Sequence, residues 1–141
     1  MKYDDASWHS EGKFPSGLPE EAAATHSGMF LAWALLRGMV GEEHAEDFAD
    51  DLNELKSRKV TPGAYLLRLD GKFTDEELNE EGNAFAAAYF DFEKGQYIKD
   101  YEKILAKGLP SAYHVADTWE NFDRLQPILD KRFKAWRSKQ G

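Results

Sequence analysis

Cysteine is missing from all 141 residues of the chain. Its absence excludes disulfides, thiol nucleophiles and cysteine-ligated zinc, and it suits a reducing compartment. Long apolar runs are missing too. The longest, Met29–Leu36, is eight residues, against the roughly 20 that a membrane-spanning helix needs. The opening Met1-Lys2-Tyr3-Asp4-Asp5 has neither the basic start nor the apolar stretch of a secretory leader, so a cytoplasmic protein without a membrane partner is expected. β-Branched residues are few, with three Val, three Ile and four Thr, which leaves little to build sheets from. Positive charge is outnumbered: 18 Lys and Arg face 26 Asp and Glu, a net charge of −8. A long-range field of that sign repels polyanions, so no nucleic-acid partner is expected, although Lys131–Lys139 interleaves five bases with Phe133 and Trp136. Glycine-rich phosphate loops, HExxH, EF-hand and GxSxG patterns do not occur. That removes common signatures of nucleotide, zinc, calcium and serine-hydrolase chemistry.

What is present is helical material. Hydrophobic residues make up 42% of the chain, enough for the core of one domain spanning 1–141. Steps of three and four, as in Ala22, His26, Met29, Trp33, Leu36 and Val40, mark one face of a first helix. The same period, with breaks at Gly and Pro, predicts an all-α bundle of about five to six helices over 19–40, 42–57, 61–69, 75–92, 96–107 and 117–138. Thr61 before Pro62 and Thr74 before Glu77 are expected helix N-caps, the second within a capping box. Pro127 is expected to kink or split the last helix. Gly28 and Gly82 stand inside helical segments, where each costs about 1 kcal/mol against alanine; the expectation is that the first and fourth helices cross there. Residues 1–18 lack a helical period but carry Tyr3, Trp8 and Phe14, so an ordered, non-helical, aromatic-rich N-terminal arm is expected.

That arm also carries the best candidates for chemistry. Tyr3, Asp4, Asp5, Trp8 and His9 put carboxylates, an imidazole and aromatic walls within seven residues, and His26 lies on the apolar stripe of the first helix. Together they can be a ligand site or a structural lock of arm to helix, and the sequence leaves both open. The four histidines, His9, His26, His44 and His114, match no common local metal spacing, so no metal and no cofactor are expected. Glu-x-x-His pairs, which a di-iron bundle would require, do not occur.

Acidic residues cluster instead. Seven fall in the 13 positions from Glu42 to Glu54, with no base among them before Lys56, and five in the seven from Asp75 to Glu81. Such density gives solubility, or a docking face that speeds encounter with a basic partner and rejects wrong ones.

The stretches Lys2-Tyr3-Asp4-Asp5-Ala6-Ser7-Trp8-His9, Phe14-Pro15, Leu18-Pro19, Glu21-Ala22-Ala23-Ala24-Thr25-His26, Gly28-Met29-Phe30-Leu31-Ala32-Trp33 and Asn79-Glu80-Glu81-Gly82-Asn83-Ala84-Phe85 resemble a family of small uncharacterised bacterial proteins. The resemblance covers about the first two-thirds of the chain and brings no assigned catalytic residues. It implies a role beside secreted or contact-dependent toxins, as an immunity protein that silences one cognate toxin.

The expectation is therefore a non-enzymatic immunity protein with no catalytic residues. It binds a toxin with a basic surface through Glu42, Glu43, Glu46, Asp47, Asp50 and Asp51. The alternative is a small metal- or ligand-binding protein or enzyme using Asp4, Asp5, Trp8, His9 and His26. The oligomeric state is left open.

Overall fold

The segment richest in apolar residues becomes the centre of the molecule. In the computed structural model, which describes residues 1–140, helix α2 (Thr25–Leu36) is buried at every position from Thr25 to Leu35. A helix hydrophobic all round can only sit inside other elements. Before it come strand β1 (Lys2–Asp5), helix α1 (Ala6–Ser10) and a 3₁₀ turn, Glu20–Ala24. After it come α3 (Glu42–Asp47), α4 (Ala49–Lys56), α5 (Pro62–Leu67), β2 (Lys72–Thr74) and a 3₁₀ turn, Asp75–Glu77. Then follow α6 (Glu80–Phe85) with a π-helical extension, Ala86–Phe90, α7 (Tyr97–Leu105), a 3₁₀ turn, Ala112–His114, and α8 (Trp119–Gln140). Phe30 and Trp33 of α2 meet Phe73, Phe85, Phe90, Tyr97 and Phe133 at ring separations of 5.0–5.9 Å or slightly more. The helical bundle expected from the sequence is present. Among the described residues, no helix is long and apolar enough to cross a membrane.

Several expected boundaries differ for local reasons. The N-terminal arm is ordered but not free of regular structure. Residues Lys2–Asp5 pair antiparallel with Lys72–Thr74, placing Asp4 opposite Phe73, and Ala6–Ser10 form a helix capped by Asp5, which accepts from Ser7 N at 3.0 Å. Elements of four and five residues are too short to print a period. The expected second helix divides at Phe48, whose φ of −120° and ψ of 31° are not helical. The capping box at Thr74 and Glu77 forms, but it starts only a 3₁₀ turn; Leu78 is extended, and α6 takes its own cap from Asn79, which accepts from Gly82 N at 2.8 Å. Helix α8 is continuous through Pro127. The proline is exposed, while Phe122, Leu125, Leu129 and Phe133 are buried on both sides of it, and that stripe outweighs the lost backbone bond.

Thr61 does not cap α5. Its Oγ1 donates to Asp117 at 2.6 Å, and the Asp117 carboxylate accepts from Gly63 N at 2.8 Å and Ala64 N at 3.1 Å. A carboxylate more than 50 residues away thus satisfies the orphan N–H groups of α5. The glycine crossing also differs from expectation. Gly28 of α2 packs on α5: a Cβ there would lie 2.5 Å from Pro62 O and 2.9 Å from Gly63 Cα. Gly82 instead faces Leu78 and Met39 side chains, both 3.2 Å from its own hypothetical Cβ.

Two predictions follow from these contacts. Gly28→Ala would gain up to about 1 kcal/mol of helix propensity, but here the added methyl meets backbone that cannot swing away. Net destabilisation of about 1–3 kcal/mol is expected, read from chemical denaturation; a neutral or stabilised variant would overturn the close crossing. His44 is buried, stacks on Phe48 at 4.7 Å and lies 2.6 Å from the Tyr65 hydroxyl. Burial lowers its pKa, against the upward pull of Asp51 and Asp47. The unfolded chain then takes up a proton that the fold resists as pH falls below the ordinary value of about 6.5. Its contribution to stability is full above that value and is lost on the way down. Between about pH 7.5 and about pH 5.5, the fall in Tm should be smaller for His44→Gln than for the unaltered protein; equal falls would show that this group is not the sensor.

Candidate functional site

The residues singled out in the arm are separated by the fold into two groups. Asp4 lies within strand β1, one residue before its end, and is 1% exposed. Asp5 turns away, accepting from Ser7 and pairing with Lys2 at 2.9 Å, and so sets the turn from β1 into α1. Backbone donation from Ala6 N to Gly71 O, at 2.8 Å, anchors that turn to the loop before β2. One turn of α1 then carries His9 back over Asp4. Tyr3 is directed elsewhere, its hydroxyl donating to Asn83 Oδ1 at 2.5 Å. Trp8 is 53% exposed and lies under the Lys2 ammonium. Tyr3, Asp5 and Trp8 are therefore outside the centre that Asp4, His9 and His26 form.

The geometry of that centre is tight. His9 Nε2 is 2.7 Å from Asp4 Oδ1, and His26 Nε2 is 3.2 Å from Asp4 Oδ2. Ser27, next to His26 on the first turn of α2, donates its hydroxyl to Asp4 Oδ2. The far nitrogen of His9, Nδ1, lies 2.7 Å from the Tyr113 hydroxyl. Tyr113 comes from the 3₁₀ turn Ala112–His114, which Ser111 caps by accepting from Tyr113 N. The two imidazole rings meet edge to face at 4.6 Å. Tyr97 fixes the His26 backbone by donating to its carbonyl at 2.5 Å.

The electrostatics follow from burial and these partners. Burial raises the Asp4 carboxyl, but the contacts from His26, His9 and Ser27 outweigh it and hold Asp4 far below the usual carboxylate range. Burial lowers the His26 imidazole, with Asp4 pulling the other way. Burial, helped by the negative charge of Asp4, raises the Tyr113 phenol. The group is thus a buried, ionised carboxylate set among imidazole and hydroxyl donors.

It is not sealed. A cavity of about 360 Å³, within the usual range for small ligands, opens against His9, His26 and Tyr113. Its other walls include Phe92, Ile98, Ala112 and Glu102. Phe92 is 38% exposed at the mouth, 5.9 Å from the His9 ring and 6.0 Å from the His26 ring. Grooves of about 450 Å³ exist elsewhere, one along α8 at Arg37 and Asp130 and one beside Met1 and Lys94, but neither borders a buried ionisable cluster.

Sequence reasoning missed Ser27, Tyr113 and Phe92. Ser27 carried a readable signal, since it adjoins His26. Tyr113 carried none, being 104 residues from His9 and outside every expected helix; Phe92 read as a core position of the expected 75–92 helix, but the helical segment ends at Phe90 and leaves it 38% exposed.

Glu42, Glu43, Glu46, Asp47 and Asp50 are exposed on α3 and α4. Among the described residues, none of these five pairs with a base. Asp51 is partly buried and is held by Arg68 at 2.8 Å, which also holds Glu54. In the second acidic run, Glu77 is buried within its capping box.

A family description, that of a domain of unknown function, DUF7832, matches residues 2–115. No curated protein and no solved structure matches the chain.

Proposed function

The chain belongs to the DUF7832 family of domains of unknown function, and we propose that it binds a small molecule in the cavity above Asp4, His9 and His26, with the means to exchange a proton with it. The observation that carries this reading is the line of Asp4, His9 and Tyr113, joined at 2.7 Å and 2.7 Å and ending in the cavity wall. A carboxylate that orients an imidazole, which in turn holds a hydroxyl, is the arrangement by which proteins tune a hydroxyl toward a bound ligand. A structural lock has no need of a cavity at its end. The wall chemistry suits a ligand with an apolar or aromatic body, packed on Phe92 and Ile98, and a polar head at Tyr113.

Fragment screening by ligand-observed NMR tests this. Aromatic fragments bearing a hydrogen-bonding head should bind the unaltered protein. Ala112→Trp, which fills the cavity, should abolish binding, and Tyr113→Phe should weaken polar hits about 3–10-fold through the lost hydrogen bond. Hits that survive Ala112→Trp unchanged would overturn the assignment.

A second reading has its own support. Five exposed, unpaired acids on α3 and α4 leave a concentration of negative charge that favours a basic protein partner, as an immunity protein would present to a toxin with a basic cleft. The expected partner is a toxic protein encoded beside this chain in a bacterial genome. Reversing Glu46, Asp47 and Asp50 to Lys should slow association at least 10-fold at low salt, measured by surface plasmon resonance, and weaken protection. Protection and association rates that do not change would remove this face.

A further inference from the structure

We propose that Asp4, His9 and His26 form a binding site for one first-row transition-metal dication of the Zn²⁺ or Fe²⁺ class, with its open coordination position facing the cavity; this deepens the small-molecule reading and rests on it. One donor atom from each of the three residues lies within 4.8 Å of the other two. In a metal centre with bonds of 2.0–2.2 Å, neighbouring donors stand about 2.9–3.4 Å apart. His26 Nε2 and Asp4 Oδ2, at 3.2 Å, already stand at that spacing, and His9 Nε2 and Asp4 Oδ1, at 2.7 Å, are slightly inside it.

The surroundings match what a metal ligand set requires. A ligating histidine almost always gives its other ring N–H to a fixed acceptor, and a ligating carboxylate is itself hydrogen-bonded. Tyr113 Oη stands 2.7 Å from His9 Nδ1, and Ser27 donates to Asp4. Ligation requires both Nε2 atoms to be free of a proton: on His9 the remaining ring N–H then stands at Nδ1, facing Tyr113 Oη, and the proton between His26 Nε2 and Asp4 has to pass to His26 Nδ1 or to solvent. Two imidazoles and one carboxylate favour a transition metal over Mg²⁺ or Ca²⁺, which take oxygen ligands. Three protein ligands beside a cavity leave room for a water or a ligand atom, the pattern of catalytic rather than closed structural sites.

Two other clusters were weaker candidates. Asp100 is buried but already held by Tyr89 at 2.6 Å and by Arg132 at 2.9 and 3.0 Å, so its charge is matched. Asp117 is taken up by the α5 backbone.

The test uses the full chain after chelator treatment. Zn²⁺ titrated by calorimetry should bind one per chain, while Mg²⁺ and Ca²⁺ under the same conditions should not compete. Long-range ¹H–¹⁵N spectra of the unaltered protein should show the ring nitrogens of His9 and His26 moving together on Zn²⁺ addition, with His44 and His114 unmoved. His9→Ala should weaken Zn²⁺ binding by 100-fold or more. Tyr113→Phe, which removes only the acceptor beside His9 Nδ1, should weaken it about 10-fold. No stoichiometric uptake, or uptake that shifts only His44 or His114, overturns the site without any variant having to fold. Fragment binding to the chelated protein with no Zn²⁺ uptake leaves the cavity reading standing and removes the metal. Stoichiometric Zn²⁺ uptake at His9 and His26 with no fragment binding supports the metal and removes the cavity reading.

Discussion

Burying a carboxylate away from water is expensive unless donors meet it, and Asp4 is met from three directions. His9 comes from α1, and His26 and Ser27 come from the first turn of α2. These donors come from two helices, so satisfying this one side chain fixes how the N-terminal strand, its short helix and the central helix sit together. The strand itself is held by only three residues of β2, and a two-stranded sheet is marginal by itself. The polar contacts at Asp4 and the apolar contacts of Tyr3 and Phe73, whose rings are 4.9 Å apart, tie it to the bundle from its two faces.

The rest of the fold serves to keep α2 buried. Its aromatic contacts reach β2, the α6 extension, α7 and α8, and its Gly28 lets α5 approach to backbone contact. Because α5 is pressed against α2, its N-terminal amides need a partner at short range, and Asp117 provides one from the approach to α8. The segment that leads there, from Pro110 to Asp117, carries Tyr113 past His9. The tyrosine's place beside the histidine is thus a consequence of the path the chain takes between α7 and the cap of α5.

Charge is distributed in the same economical way. Most of the exposed acids remain free, while the few that are buried are matched: Asp4 by imidazoles and a hydroxyl, Asp100 by Arg132 and Tyr89, Glu77 by its own capping box. The net charge of −8 therefore sits almost wholly on the surface, where solvent screens it.

The sequence by itself determined the helical class, the central place of the segment around Met29–Leu36, and the capping box at Thr74. These are written in periods and adjacent residues, which act over one or two turns of chain. It also marked Asp4, His9 and His26 as candidates, because histidines are few and Asp4 shares the aromatic-rich arm with one of them. Tertiary structure alone decided that Asp5 and Trp8 turn away while Tyr113 and Ser27 join. It also decided that Gly28 meets Gly63 and not Gly82, that Asp117 caps a helix it does not precede, and that the centre opens on a cavity. Most of these depend on which surfaces meet across tens of residues of chain, and such meetings are set by the packing of the whole core, which no local pattern encodes.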